Sequence, residues 1–118
     1  MIKIAPSILA ANLLDLKNEV MNVDRAGVEY IHIDIMDGHY VPNITFGPNI
    51  VKSLRLITNK ILDVHLMIKN VNDHIESFIS AGSDIVSFHP EAVSNPEKII
   101  NKIKNFGKKC GIAIHPEV

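Results

Sequence analysis

The chain has 118 residues, of which 47% are hydrophobic, and its formal net charge is −1. This composition is typical of one soluble globular domain, and the lack of a basic excess argues against binding to nucleic acid. The single cysteine excludes an internal disulfide framework, and we recognise neither a signal-peptide pattern nor an apolar run of about 18 residues. We therefore expect a cytoplasmic protein with no membrane or nucleic-acid partner.

Strand patterns and helix patterns alternate along the chain. Strands are predicted at residues 3–9, 30–36, 61–67, 85–89 and 110–114. Four amphipathic helices are predicted between them, beginning near Asp15, Pro48, Asn72 and Asn95. The first, third and fourth helices are expected to end at a glycine, namely Gly27, Gly82 and Gly107. A repeat of about 25 to 30 residues fits a strand–helix–strand unit, so the series predicts a parallel α/β sheet.

Two of the predicted strands carry ionisable side chains on one face. The polar face of the strand at residues 30–36 is made of His32, Asp34 and Met36. The strand at residues 61–67 repeats the pattern with Asp63, His65 and Met67. Side chains alternate between the two faces of a strand, and strands of a parallel sheet are normally buried on both faces. A buried charge needs a partner, a metal ion or a proton, so we predict a functional site here, with a chance polar core as the alternative.

Two architectures fit the series, an open doubly wound sheet and a (β/α)8 barrel. No G-x-G-x-x-G motif follows residues 3–9, which disfavours a nucleotide-binding open sheet. The strand at residues 85–89 also has a polar face, made of Ser87 and His89, and one face of every barrel strand converges on a common interior. A TIM barrel typically has about 250 residues. We therefore predict that residues 1–118 are the N-terminal half of one barrel domain, with four βα units and a fifth strand.

Five segments stand at or near the ends of successive predicted strands: residues 4–9 (IAPSIL), 32–38 (HIDIMDG), 41–47 (VPNITFG), 63–67 (DVHLM) and 87–91 (SFHPE). In this order they resemble the ribulose-phosphate 3-epimerase family. The resemblance spans almost the whole chain, with two departures, Asn12 and His115, where the family usually has Asp and Asn. It implies a (β/α)8 barrel that interconverts ribulose 5-phosphate and xylulose 5-phosphate in the pentose phosphate pathway.

The resemblance also implies roles for single residues. By position, the metal ligands fall on His32, Asp34 and His65, and the proton-abstracting base falls on Asp34. The implied substrate contacts are Ser7, His65, Met36 and Met67. Two imidazoles and one carboxylate suit Zn²⁺ or Fe²⁺ best, with Mn²⁺ or Co²⁺ also compatible. The family's second catalytic carboxylate and its phosphate-binding loops are expected beyond Val118.

The expected chemistry is inversion of a carbon next to a ketone through an enediolate, whose negative charge a metal ion stabilises. Allulose 6-phosphate is a close alternative substrate, because the same chemistry would serve a longer sugar. A second alternative is a non-catalytic half-barrel. The isolated 118-residue chain is expected to be inactive, whereas the full-length form is expected to bind a sugar phosphate and to form a homo-oligomer.

For three more polar residues in or near the predicted strands we expect roles other than metal binding or catalysis. Asp63 faces inward and is expected to be structural, and His89 is expected to be a hydrogen-bonded wall of the pocket. Asp37 is interpreted as a turn former, because Asp-Gly marks turns.

Overall fold

A parallel four-stranded sheet forms the centre of the fold. The structure, a computed structural model, describes residues 1–117. Its strands follow one another in the order β1 (Tyr30–Met36), β2 (Ile61–Met67), β3 (Ile85–Phe88) and β4 (Lys109–Ile112). All seven residues of β1 pair in register with the seven residues of β2. The predicted parallel α/β organisation is therefore confirmed.

Four α-helices connect or precede the strands: α1 (Leu16–Arg25), α2 (Pro48–Arg55), α3 (Val71–Ala81) and α4 (Pro96–Asn105). Pro48 is the first residue of α2, as predicted, because a proline lacks the N–H that has no partner at this position anyway. Asn95 caps α4, where its side-chain oxygen accepts a hydrogen bond from the Lys98 N–H at 3.2 Å. No helix within residues 1–117 combines the length and apolar character that crossing a bilayer requires.

The helices cover one face of the sheet and leave the other face open. The covered face of the first two strands carries fully buried side chains, Ile31, Ile33, Leu62 and Val64 among them. These pack in one core with the apolar stripes of the helices, which include Val51, Leu54, Ile75 and Ile103. Because side chains alternate along a strand, the polar residues of the first two strands all lie on the open face.

The strand predicted at residues 3–9 forms only in part, and this prediction was wrong in extent. A single bridge joins Ser7 to His32, and the Pro6 carbonyl accepts a hydrogen bond from the His32 N–H at 2.9 Å. The chain then turns into a 3-10 helix (Ile8–Ala10). Pro6 has no N–H to donate, and the Ser7 hydroxyl accepts from the Leu9 N–H and so favours the turn. Even so, the segment runs beside β1 and places Ser7 next to His32.

Of two predicted helix caps, Asp15 was right in position only and Asn72 was wrong. Asp15 occupies the N-cap position of α1 but makes no capping bond, since its side chain accepts a hydrogen bond from the Asn18 amide at 2.9 Å. Asn72 lies within α3 rather than before it. Asn70 takes the cap position instead, with a left-handed backbone (φ 54°) that asparagine tolerates better than most residues.

Candidate metal centre

His32, Asp34 and His65 meet on the open face of the sheet. In the register of β1 and β2, Asp34 lies directly opposite His65, and His32 precedes Asp34 by two residues on the same face. The Oδ1 atom of Asp34 lies 3.1 Å from Nε2 of His32 and 3.2 Å from Nδ1 of His65. One ligand atom from each residue lies within 4.8 Å of the other two. The structure thus brings together the three residues that the sequence singled out.

The donor set fits a divalent transition-metal ion. Two imidazole nitrogens and one carboxylate oxygen are ligand types found in Zn²⁺ and Fe²⁺ sites. With metal–ligand bonds of about 2.1 Å, the donor atoms of a tetrahedral site lie about 3.4 Å apart. The separations of 3.1 and 3.2 Å around Asp34 are close to this value. Catalytic zinc sites also use three protein ligands and keep one position for substrate or water.

Hydrogen bonds set the ionisation of Asp34 and His32. Burial raises the pKa of Asp34, but hydrogen bonds from His32, His65 and Ser7 outweigh it and hold that pKa well below its usual range. Hydrogen bonds to Asp34 and Asp63 raise the pKa of His32 to about 9. Asp34 therefore stays ionised at neutral pH, as a metal ligand or a proton acceptor must.

Asp63 lies behind His32 and contacts it. The two residues are register partners, and Nδ1 of His32 lies 2.9 Å from Oδ2 of Asp63. If a metal ion displaces the hydrogen from Nε2 of His32, the Asp63 carboxylate would still accept the hydrogen bond from Nδ1–H and so would hold the orientation of the ring. From the sequence we expected Asp63 to be structural, and we did not predict its contact with His32. The alternation of polar residues could have indicated this contact. If the two strands pair in register, their polar positions lie side by side, and His32 lies opposite Asp63.

Three predicted substrate contacts border this cluster. The Ser7 hydroxyl donates a hydrogen bond to Oδ2 of Asp34 at 2.5 Å. Met36 and Met67 are register partners, and they follow the cluster by two residues along β1 and β2 on the same face. Ser7 therefore acts on the carboxylate directly, whereas the two methionines stand beside it toward the strand ends.

A model of the ribulose-phosphate 3 epimerase family matches residues 3–118. The chain belongs to the ribulose-phosphate 3-epimerase family. Curated relatives with this name include proteins of Bacillus subtilis (strain 168), Synechocystis sp. (strain ATCC 27184 / PCC 6803 / Kazusa) and Rhodobacter capsulatus. They are 49%, 46% and 42% identical to this chain, over 98% of its length in each case.

The chain spans about half the length of the curated relatives it matches, namely 54%, 51% and 50% of the three proteins above. Membership of the epimerase family confirms the predicted fold class, a (β/α)8 barrel of which this chain supplies the N-terminal half. The parallel strands and the helices on one face of the sheet are the corresponding part of such a barrel.

A third histidine of this epimerase-family chain lies against His65. His89 follows β3, is only 9% exposed, and places its Nε2 atom 2.8 Å from Nε2 of His65. Burial and the neighbouring His65 lower the pKa of His89, so its ring is neutral at pH 7. His89, which we predicted to lie in the pocket wall, therefore contacts His65, a candidate metal ligand.

Tyr40 and Glu91 both contact His89. The rings of Tyr40 and His89 are stacked, with centroids 4.4 Å apart. The Tyr40 hydroxyl donates a hydrogen bond to the Glu91 carboxylate, which lowers the pKa of Glu91 and raises that of Tyr40. Sequence reasoning missed both residues. Glu91 lies in a segment that resembles the family, but Tyr40 lies in a loop whose path no periodic pattern reveals.

The loop at residues 37–47 is fastened at both ends. The Asp37 carboxylate accepts hydrogen bonds from the His39 N–H at 3.1 Å and from the Lys69 N–H at 3.0 Å. Near the other end, the Thr45 hydroxyl donates to the Asp34 carbonyl at 2.6 Å and accepts from the Met36 N–H at 3.0 Å. Asp37 is thus a turn former, as predicted, and it also links the ends of β1 and β2.

Proposed function

We propose that the protein containing this chain is an epimerase that inverts C3 of D-ribulose 5-phosphate to give D-xylulose 5-phosphate in the pentose phosphate pathway. The observation that carries the proposal is the convergence of His32, Asp34 and His65 on the open face of the sheet, in a member of this family. Residues 1–118 would supply the N-terminal half of the single barrel domain. The relatives that bear the name ribulose-phosphate 3-epimerase support the substrate assignment.

In this proposal Asp34 accepts the proton from C3. Its Oδ2 atom receives the Ser7 hydroxyl hydrogen bond, which holds the carboxylate plane in place while Oδ1 faces the two histidines. A carboxylate with a low pKa is a weak base, so the C3 proton has to be acidified before it can transfer. A divalent ion held by His32, Asp34 and His65 would supply this by polarising the ketone oxygen of the sugar.

Inversion also needs an acid on the opposite face of the sugar, because the proton leaves from one side and returns on the other. The cluster of His32, Asp34 and His65 contains one carboxylate. We expect the second group to come from outside residues 1–118, since the chain spans about half the length of its relatives. Met36 and Met67 would line the pocket without exchanging protons, because a thioether does not titrate.

The test uses the full-length protein that carries this chain, with D-ribulose 5-phosphate as substrate. A coupled assay measures xylulose 5-phosphate formation, and NMR follows exchange of the C3 hydrogen with deuterated solvent. We expect Asp34→Asn to lower turnover about 10²- to 10⁴-fold, because the amide keeps the size of the side chain and loses the proton-accepting charge.

Asp73→Asn is the matched control, since Asp73 is an exposed carboxylate in the first turn of α3 and should leave turnover unchanged. An active wild type with near-normal hydrogen exchange in Asp34→Asn would reassign the base. A well-folded, metal-loaded wild type without exchange on this sugar would refute the proposed reaction.

A further inference from the structure

We propose that Thr45 is a positioning residue for Asp34: its hydroxyl group holds the backbone of β1 on both sides of Ile35 and so fixes the place from which the Asp34 carboxylate extends. The inference rests on the proposed function in one respect, since it treats Asp34 as a metal ligand and as the base. It adds a role for a residue of the loop at residues 37–47, outside the candidate metal centre.

The outer edge of β1, which faces away from β2, has two different partners along its length. Residues 4–7 run beside the first half of the strand, and their carbonyls accept hydrogen bonds from the Tyr30 and His32 N–H groups at 3.4 and 2.9 Å. The segment then turns into a 3-10 helix and leaves the strand. Successive residues of a strand direct their backbone groups to alternate sides, so Asp34 and Met36 share this edge. Where water is shielded from them, these groups need a new partner.

Thr45 replaces residues 4–7 beside the last residues of β1. The loop returns antiparallel to the strand, since Ile44 forms an isolated antiparallel bridge with Asp37. The Thr45 N–H donates to the Met36 carbonyl at 3.1 Å. The Thr45 hydroxyl accepts from the Met36 N–H at 3.0 Å and donates to the Asp34 carbonyl at 2.6 Å. One residue therefore supplies the partner for three consecutive backbone groups of this edge.

The direction of both hydroxyl hydrogen bonds is unambiguous, because a backbone carbonyl can only accept and a backbone N–H can only donate. The hydroxyl therefore joins the peptide group that follows Asp34 to the peptide group that precedes Met36. These two peptide groups flank Ile35, whose side chain is buried in the core on the opposite face of the sheet. The backbone at Asp34 is thus held by the β2 ladder on one side and by Thr45 on the other.

A displacement of Asp34 would affect both of its proposed roles. Its Oδ1 atom lies 3.1 Å from Nε2 of His32 and 3.2 Å from Nδ1 of His65, and metal–ligand distances tolerate changes of only about 0.2 Å. For proton transfer, moving a reacting group by about 1 Å can cost about 100-fold in rate. Thr45 therefore acts on metal binding and on proton transfer through the backbone of Asp34.

The test compares substitutions of Thr45 in the full-length protein. Valine has nearly the shape of threonine and lacks the hydroxyl, whereas serine keeps the hydroxyl. Thr58→Val is the matched control, because the Thr58 hydroxyl also donates one hydrogen bond, to the Asp24 carboxylate, and accepts one, from the Lys60 N–H. Thr58 precedes β2, whereas Thr45 follows β1, so the control lies at the opposite end of the parallel sheet.

The measurements separate positioning from stability. Steady-state kinetics with D-ribulose 5-phosphate at saturating Zn²⁺ give kcat and KM, and competition with a chromophoric chelator gives the Zn²⁺ affinity. Hydrogen exchange of the Met36 amide, followed by NMR without metal ion and sugar phosphate, reports the loss of the hydrogen bond to Thr45. Urea unfolding gives the stability of each variant.

We expect Thr45→Val to lower kcat about 10- to 100-fold and to weaken Zn²⁺ binding about 10-fold. KM should stay close to its wild-type value, because Thr45 acts on the base rather than on the bound sugar. The Met36 amide should exchange faster. Thr45→Ser should remain close to wild type in every measurement, and Thr58→Val should lose stability while keeping kcat and Zn²⁺ affinity.

A folded Thr45→Val protein with wild-type kcat and Zn²⁺ affinity would overturn the inference and leave the proposed function standing. Equal losses of kcat in Thr45→Val and Thr58→Val would also overturn it, because a general loss of stability would then explain both. Zn²⁺ affinity and amide exchange are read without sugar phosphate. The expected changes in these two quantities, in a protein that does not epimerise D-ribulose 5-phosphate, would uphold the positioning role and refute the proposed function.

A second variant covers the case in which Thr45→Val does not fold. Thr45 is half-buried, and alanine leaves space in which a water molecule can bond to the Asp34 carbonyl and the Met36 N–H, so this variant should fold. We expect Thr45→Ala to have a lower kcat and a lower Zn²⁺ affinity than Thr45→Ser, because a water molecule does not fix the backbone as a covalently held hydroxyl does. Equal values in the two variants would show that the hydroxyl does not position Asp34, which would overturn the inference.

Discussion

Each histidine of the candidate metal centre turns one ring nitrogen toward Asp34, and a neighbour contacts its other ring nitrogen. Asp63 lies 2.9 Å from His32, and His89 lies 2.8 Å from His65. Fixing both rings in advance lowers the entropy that metal binding would otherwise cost. Substitutions behind the ligands should therefore change metal affinity while the ligand set itself stays intact.

Asp63→Leu should weaken Zn²⁺ binding to the full-length protein about 10- to 100-fold, because it removes the acceptor that holds Nδ1–H of His32. Asp63→Asn should fall between leucine and wild type, since its amide oxygen can still accept. Competition with a chromophoric chelator measures all three affinities. Equal affinities across the series would mean that Asp63 does not support His32.

His65→Ala removes a candidate ligand outright. We expect the full-length wild type to bind one divalent ion per barrel, and we expect the variant to bind it much more weakly. Elemental analysis after dialysis gives the metal content, with His74→Ala on α3 as the control. Unchanged metal content in His65→Ala would place the metal ion elsewhere.

The three central residues were predictable, because alternation in β1 and β2 assigns a face to every side chain and the parallel register brings the two faces together. The surroundings of His89 were not predictable in the same way. They include Tyr40, which reaches His89 from the loop at residues 37–47, and loop geometry is set by individual hydrogen bonds such as those of Asp37.

At the scale of elements, β2 and the start of α2 match the sequence prediction residue for residue, since strong alternation and a proline leave few alternatives. The errors lie where two local signals compete. Residues 3–9 have a strand pattern but contain Pro6 and a serine that stabilises a turn. At α3, Asn70 and Asn72 are both suitable cap residues, and Asn70 occupies the N-cap position with a left-handed backbone and without a side-chain capping bond.

Arg55 joins α2 to the loop that follows α3. Its guanidinium donates to Asp84 at 2.8 Å and to the Thr58 and Lys60 carbonyls at 2.7 Å each. Gly82, with φ 126°, leaves room for this side chain, because a Cβ there would lie 2.7 Å from Cδ of Arg55.

Gly82→Ala should therefore destabilise the full-length protein by about 2 kcal/mol or more, from backbone strain together with the contact to Arg55. Gly107→Ala is the control, since Gly107 also has a positive φ but nothing within 4 Å of an added Cβ, and it should cost about 1 kcal/mol. Urea unfolding monitored by circular dichroism measures both. Equal losses would mean that Arg55 moves aside freely.

At the scale of the whole molecule, the described sheet ends at two edges. On one side residues 4–7 pair with the outer side of β1 only in part, and on the other side β4 pairs only with β3 within residues 1–117. Apolar side chains near these two sides are exposed, Ile4 at 61% and Ile114 at 70% among them. Closed barrels have no such edges, and unpaired edges invite pairing between chains.

The 118-residue polypeptide expressed by itself should consequently self-associate and show no epimerase activity. Size-exclusion chromatography and the coupled sugar-phosphate assay test both parts, with the full-length protein as reference. A stable monomer that turns over substrate at roughly 1 to 1000 per second would show that this half of the barrel suffices.

The residue-by-residue pairing of β1 with β2 also makes the site sensitive to insertions within these strands. One residue inserted between His32 and Asp34 would send one of them to the helix side of the sheet, although both would still be present in the sequence. Two inserted residues would restore the face but move Asp34 past His65 by about 6.6 Å, at 3.3 Å per residue. Functional variants should therefore change in length at the turns that enter these strands, and keep the length of residues 30–36 and 61–67 constant.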